Sequence, residues 1–274
     1  MYEDIPEQRT RVWFLVALSL IVVIGGYFLI QWYQGGGGGI ETIAPSESNS
    51  LGAPVINPPL QKYEEIAQYT KGKPVPPPLG AERFMRPKDK EGFHVRGDAN
   101  ASVTLIEYAG FSSSYAKLLH PKLIEFLEAN KETMNWGFRH FPNGKLTIDY
   151  TAAQATECVA EQLGDDGFWR YVDVLMAEKS LSDKVVYADV RRVGGDASKV
   201  QQCVESKKFR AFVSLYKRHA QTEVQIRISP SFVFMNNKSK QVLVVEGINT
   251  VEYLQQVLDK VAGWNTPTAS PPSP

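Results

Sequence analysis

The sequence predicts an α/β domain in the order β-α-β, helical insertion, β-β-α, preceded by one N-terminal transmembrane helix and a Pro/Gly-rich stalk. Three observations carry this. Residues 12–34 contain no charged side chain. Residues 35–90 hold nine of the 17 prolines, together with the glycine run 35–39. From 91 to 263, short β-branched apolar runs alternate with stretches of helical periodicity.

Residues 12–33 would form a helix about 33 Å long at ~1.5 Å per residue, enough to cross a bilayer. Trp13 lies near one end and Trp32 and Tyr33 at the other, where amphipathic rings favour the headgroup zone. The run exceeds the ~7–15 residues of a signal-peptide core, and no A-x-A-like cleavage site follows, so it reads as an anchor. Arg9 and Arg11 precede it, and no Lys or Arg occurs from 34 to 61. The positive-inside rule then leaves residues 1–11 in the cytoplasm and the rest outside. The expected product is a single-pass cell-membrane protein. Its stalk, 34–90, combines a flexible glycine joint with a stiffer proline spacer, and 60–69 (LQKYEEIAQY) is able to form a short helix. The domain spans 91–263, and 264–274 is expected to be a disordered tail.

Within the domain, 103–108 (VTLIEY) reads as a buried strand. Three serines follow, then apolar positions 116, 119, 123, 126 and 127 at helical spacing. Residues 134–141 (MNWGFRHF) read as a second strand. A helical insertion runs from about 147 to 223, broken at 164–167 and at 194–195, with Asp196 placed to cap the helix that carries Cys203. Strands at 231–235 and 242–245 form a hairpin, and 251–261 is the closing helix.

Composition excludes several classes. With 30 Lys+Arg against 30 Asp+Glu there is no electrostatic case for a nucleic-acid partner. Two cysteines are too few for a disulfide-built scaffold or a cysteine-rich zinc module. His94, His120, His140 and His219 show no metal-ligand spacing, and the domain has no Gly-rich phosphate loop. No metal or cofactor is expected.

Four segments, in order, resemble the DsbA family of thiol-disulfide oxidoreductases: VRGDANASVTLIEY at 95–108, FRHFP at 138–142, AAQATECVA at 152–160 with Phe168 and Trp169, and SPSF at 229–232. The resemblance covers roughly 92–263. It implies a thioredoxin-like fold with an inserted helical domain, a cis proline at Pro230, and a structural disulfide between Cys158 and Cys203. Two buried free thiols are the alternative.

The departure falls on the chemistry. In the family a Cys-x-x-Cys follows the first strand, at a helix N-terminus whose dipole and free N–H groups stabilise a thiolate. Here the run is Phe111-Ser112-Ser113-Ser114-Tyr115-Ala116, so Ser113 and Ala116 hold the two cysteine positions, and Gly110 replaces a usual acidic residue. A serine hydroxyl neither ionises near neutral pH without a base nor forms a disulfide. The leading expectation is therefore an anchored domain without dithiol activity, which binds an extracytoplasmic polypeptide or a membrane protein. Its binding surface would comprise Phe111, Ser113, Ser114, Tyr115, Ser229 and Pro230. Alternatively, Pro230 only shapes a turn. Two enzymatic alternatives remain: an active oxidoreductase whose site cysteines have been replaced in this sequence, or a glutathione transferase resembling the kappa class, with Ser113 holding the thiolate.

Overall fold

Within the described part of the domain, each apolar run that the sequence marks as a strand pairs into one sheet, and each helical period becomes a helix. In this computed structural model the described residues are 62–76, 79–80 and 94–264. The expected cytoplasmic terminus, the span at 12–33 and the tail beyond Trp264 lie outside them. No helix among the described residues is long and apolar enough to cross a membrane.

In chain order the elements are α1 (Tyr63–Thr70), β1 (Leu79–Gly80), β2 (Val95–Arg96), β3 (Val103–Ala109), α2 (Ser114–Ala129), β4 (Met134–His140), α3 (Thr147–Ala177), α4 (Asp183–Arg192), α5 (Ala197–Glu205), α6 (Arg210–Thr222), β5 (Ser231–Asn236), β6 (Gln241–Glu246) and α7 (Val251–Ala262). The sheet order is β1-β6-β5-β3-β4-β2. β3 and β4 run parallel, with Val103 opposite Met134, so the chain must cross back over the sheet, which α2 does. β5 runs antiparallel to β3, with Glu107 opposite Phe232.

β3 is buried along its whole length because both faces of the sheet are covered. Its odd residues, Leu105 and Ala109, face the larger core with α2, α3 and α7. Its even residues, Ile106 and Tyr108, face a smaller core with Ala220 of α6.

The helical insertion breaks where glycine allows it: Gly164 takes φ 69° inside α3. Asp196 caps α5 as its sequence position predicts, accepting from the N–H groups of Ser198 and Lys199. Cys158 of α3 and Cys203 of α5 are disulfide-bonded. Closing that loop contributes roughly 4 kcal/mol in the chain-entropy account.

Where the sequence reads a stalk, part of the chain packs on the domain. Ile66 of α1 is fully buried. The Tyr63 hydroxyl accepts from Val251 N–H at 2.8 Å and donates to Glu252 at 3.2 Å, at the start of α7. The Lys73 ammonium donates to Asn249 Oδ1 at 2.8 Å, and β1 pairs with β6, Leu79 opposite Val242. Proline-dense composition reads as spacer, but α1 buries Ile66 and is tied through Tyr63 to the start of α7.

Candidate functional site

The site begins where β3 ends. Gly110 and Phe111 turn the chain, and Ser113 caps α2 by accepting from Ala116 N–H at 3.3 Å. The proton of the same hydroxyl goes elsewhere: Ser113 Oγ donates to the carbonyl of Ser229 at 3.0 Å. Ser229 precedes Pro230 through a cis peptide bond. Its own hydroxyl accepts from Gly110 N–H at 3.0 Å, so the turn and the proline loop are cross-tied twice. Ala116 is fully buried beneath.

A residue that the sequence reading missed organises this turn. Asp149, in the first turn of α3, accepts from Ser112 N–H at 3.0 Å and Ser112 Oγ at 2.7 Å, and from Asn143 N–H at 2.6 Å. It is buried, 1% exposed. Two ammonium groups share its field. Burial draws the pKa of Lys117 below the usual lysine value, opposed by the charges of Glu178 and Asp149. Burial draws Lys217 down as well, opposed by Asp149. Asp149→Ala should cost roughly 3 kcal/mol in denaturant unfolding, because it orphans a buried donor and frees the turn below Ser113. A loss below about 0.5 kcal/mol would show that the three bonds are readily replaced by water.

Beside the turn opens a cavity of about 510 Å³, lined among others by Ser113, Tyr115, Asp149, Lys217, Arg227 and Ser229. Of the residues expected to form a binding surface, Ser113, Tyr115 and Ser229 line this cavity. Ser114 does not join them; it is exposed on the other flank of α2, in a wider hollow with Lys117 and Leu146. Phe111 corrects the expected binding surface. It lies in the turn after β3, is fully buried, and stacks on Phe138 with centroids 5.5 Å apart. Pro230 is buried too and does not line the cavity.

Two acidic groups lie deeper. Glu107 of β3 is fully buried. Burial raises its pKa from 4.5 to about 8, against the lowering influence of Trp136 and the Arg96 charge. The Trp136 indole N–H approaches without completing a bond of ordinary geometry.

Glu157 of α3 is the opposite case. Burial alone would raise its pKa, but His140 Nε2 at 2.6 Å and His94 Nε2 at 3.3 Å outweigh it and hold the group at about 2. Scattered in sequence, these histidines converge through β4 and the start of β2. No group of His, Cys, Asp and Glu among the described residues is arranged to hold a metal ion.

The Glu157 pairing fixes an acid limit. With a folded value depressed from 4.5 to about 2, its stabilisation is complete above pH 4.5 and fades as pH falls through 2. His94 has the opposite sense. Burial lowers its pKa but Glu157 and Asp165 raise it above 6.5, so its contribution is complete below 6.5 and lost as pH climbs through the raised value. Thermal unfolding from pH 5 to 2 should show wild type losing on the order of 3 kcal/mol that Glu157→Gln does not lose over that range. Parallel pH profiles would remove the assignment.

Ser113 also bears on the transferase alternative. To hold a thiolate, its hydroxyl must donate to sulfur, and here its proton is committed to Ser229.

Comparisons with known proteins agree with the fold. A family model described as thioredoxin matches residues 89–260. The crystal structure of alpha-DsbA1 from Wolbachia pipientis superposes with a TM-score of 0.53 at 19% identity, covering 68% of this chain and 96% of that one. A thioredoxin-like oxidoreductase from Silicibacter pomeroyi gives 0.55 at 20% identity, covering 64% and 97%. Among curated proteins, Na(+)/H(+) antiporter NhaA 1 of Salinispora arenicola is 35% identical over 97 residues, which is 35% of this chain. The match spans only 14% of the antiporter's length. The chain belongs to the thioredoxin family, and its fold is that of the DsbA-like thiol-disulfide oxidoreductases.

Proposed function

We propose that the protein is a membrane-anchored, extracytoplasmic DsbA-like domain that binds polypeptide without dithiol exchange. One observation carries this: at the two positions where the family has cysteines, Ser113 spends its proton on Ser229 and Ala116 is a buried methyl. Neither can accept or pass a pair of electrons through sulfur. The binding half of the site is supported by the cavity and by the backbone beside Ser229, against which an extended peptide can pair.

The partner class is a membrane protein or a polypeptide presented near the membrane. The uncharged run at 12–33 supports it, and so does the antiporter of Salinispora arenicola, where a similar segment forms part of a transport protein. The test uses the full chain in detergent micelles with a reduced dithiol peptide and glutathione disulfide. Disulfide should form no faster than with Ser113→Ala. A rate clearly above that variant overturns the non-redox reading.

A further inference from the structure

The cavity beside Ser113 carries a charge pattern that selects among peptides. Lys217 and Gln221 stand one turn apart on α6, and Arg227 projects from the loop that leads to Ser229. Lys217 does not sweep freely through solvent. Its ammonium lies 5.9 Å from the Phe141 ring centre and 5.7 Å from that of Tyr150, and it donates to the Pro142 carbonyl at 2.8 Å. That bond uses one of its three N–H donors, and the others remain for an occupant.

The acidic groups nearby are already engaged. Asp149 lines the cavity, but Oδ1 takes Ser112 N–H while Oδ2 takes Ser112 Oγ and Asn143 N–H. Glu246 accepts from the backbone N–H of Arg227 at 2.7 Å and is not among the cavity-lining residues. Arg227 is exposed and lines the cavity; Glu246, outside that lining, feels its charge and shares part of its field. Phe141, Ile228 and Ile248 supply apolar wall. A volume of about 510 Å³ with such walls suits a side chain on its peptide better than a small free anion.

We propose that this cavity receives an aspartate or glutamate side chain of an extended polypeptide lying along Ser229, with Lys217 and Arg227 as the partners of its carboxylate. The proposal rests on the peptide-binding reading above and names the class of sequence that reading leaves open. Arg227 offers two parallel N–H donors to a carboxylate, and Lys217 adds a point charge from the opposite wall.

The experiment is selection of a randomised, displayed heptapeptide library on the full chain in detergent micelles, repeated with Lys217→Met/Arg227→Met. Enriched peptides should carry Asp or Glu at one fixed position. Replacing that residue by Asn or Gln should weaken binding to wild type on the order of tenfold and leave binding to the double variant unchanged. Enrichment without an acidic preference overturns this proposal and leaves peptide binding standing. No enrichment at all overturns both. An acidic preference that survives undiminished in the double variant overturns the assignment to Lys217 and Arg227. Should that variant fail to fold, Arg227→Gln alone, at an exposed position, must reduce the preference.

Discussion

Cysteines introduced together by Ser113→Cys and Ala116→Cys should turn this domain into a dithiol oxidase, at least a hundredfold faster than the parent on a reduced dithiol peptide with glutathione disulfide as the oxidant. The expectation follows from where the two side chains stand. Position 113 caps α2 and already accepts from Ala116 N–H at 3.3 Å. A thiolate there would take the same donor and the field of a 16-residue helix, which lowers a thiol pKa from ~8.5 toward neutrality. Position 116 is fully buried, so a second sulfur there attacks a mixed disulfide without exposure to other thiols. Fitting sulfur at 116 costs about 1–3 kcal/mol of overpacking. Ser113→Cys alone should stop at the mixed disulfide formed when its thiolate attacks glutathione disulfide and expels one glutathione thiolate, visible by mass spectrometry. A double variant no faster than this single one would mean that the turn no longer presents the pair for exchange.

The second large effect concerns Glu107. Its folded value is raised from 4.5 to about 8, so the native state keeps a proton that the unfolded chain has released across that window. Stability therefore falls as pH climbs from 4.5 to 8, and the full penalty persists above. Glu107→Gln removes the titration while keeping the shape. The stability difference between variant and wild type should grow by ~4 kcal/mol in the variant's favour between pH 4.5 and pH 8. Chemical denaturation at the two pH values measures it. The Gln amide adds a fixed cost of its own, so the change with pH is the diagnostic quantity. An unchanged difference would place the charge penalty elsewhere.

What could be read before folding was whatever local chemistry decides. The β-branched run at 103–108, the break at Gly164 and the cap at Asp196 each follow from a few neighbouring residues, and the structure has them all; the Cys158–Cys203 disulfide, 45 positions apart, was available only through the family resemblance. Asp149 was not legible, because its meaning depends on Ser112, 37 positions earlier. His94 and Glu157 meet across 63 positions and show no motif spacing. α1 hid within a proline-dense composition, since the burial of Ile66 depends on a helix at the far end of the chain. Phe111 was misplaced for a simpler reason. Its position in a binding motif suggested surface, whereas the turn after β3 packs its ring into the larger core against Phe138.

Gly110 sets an order on any restoration of the family's residues. A Cβ at that position would sit 2.5 Å from Asp149 Oδ2 and 2.8 Å from the Phe141 carbonyl. The backbone contact does not yield as a flexible side chain would, and Asp149 is fixed by three donors. The acidic residue expected there from the family resemblance has no room while Asp149 keeps its place. Cysteines can be placed at 113 and 116 one codon at a time, but a side chain at 110 is barred until both Asp149 and the backbone at Phe141 have moved. Restoring the family's residues is therefore ordered, and the carboxylate that steadies the present site is one pawl of the ratchet.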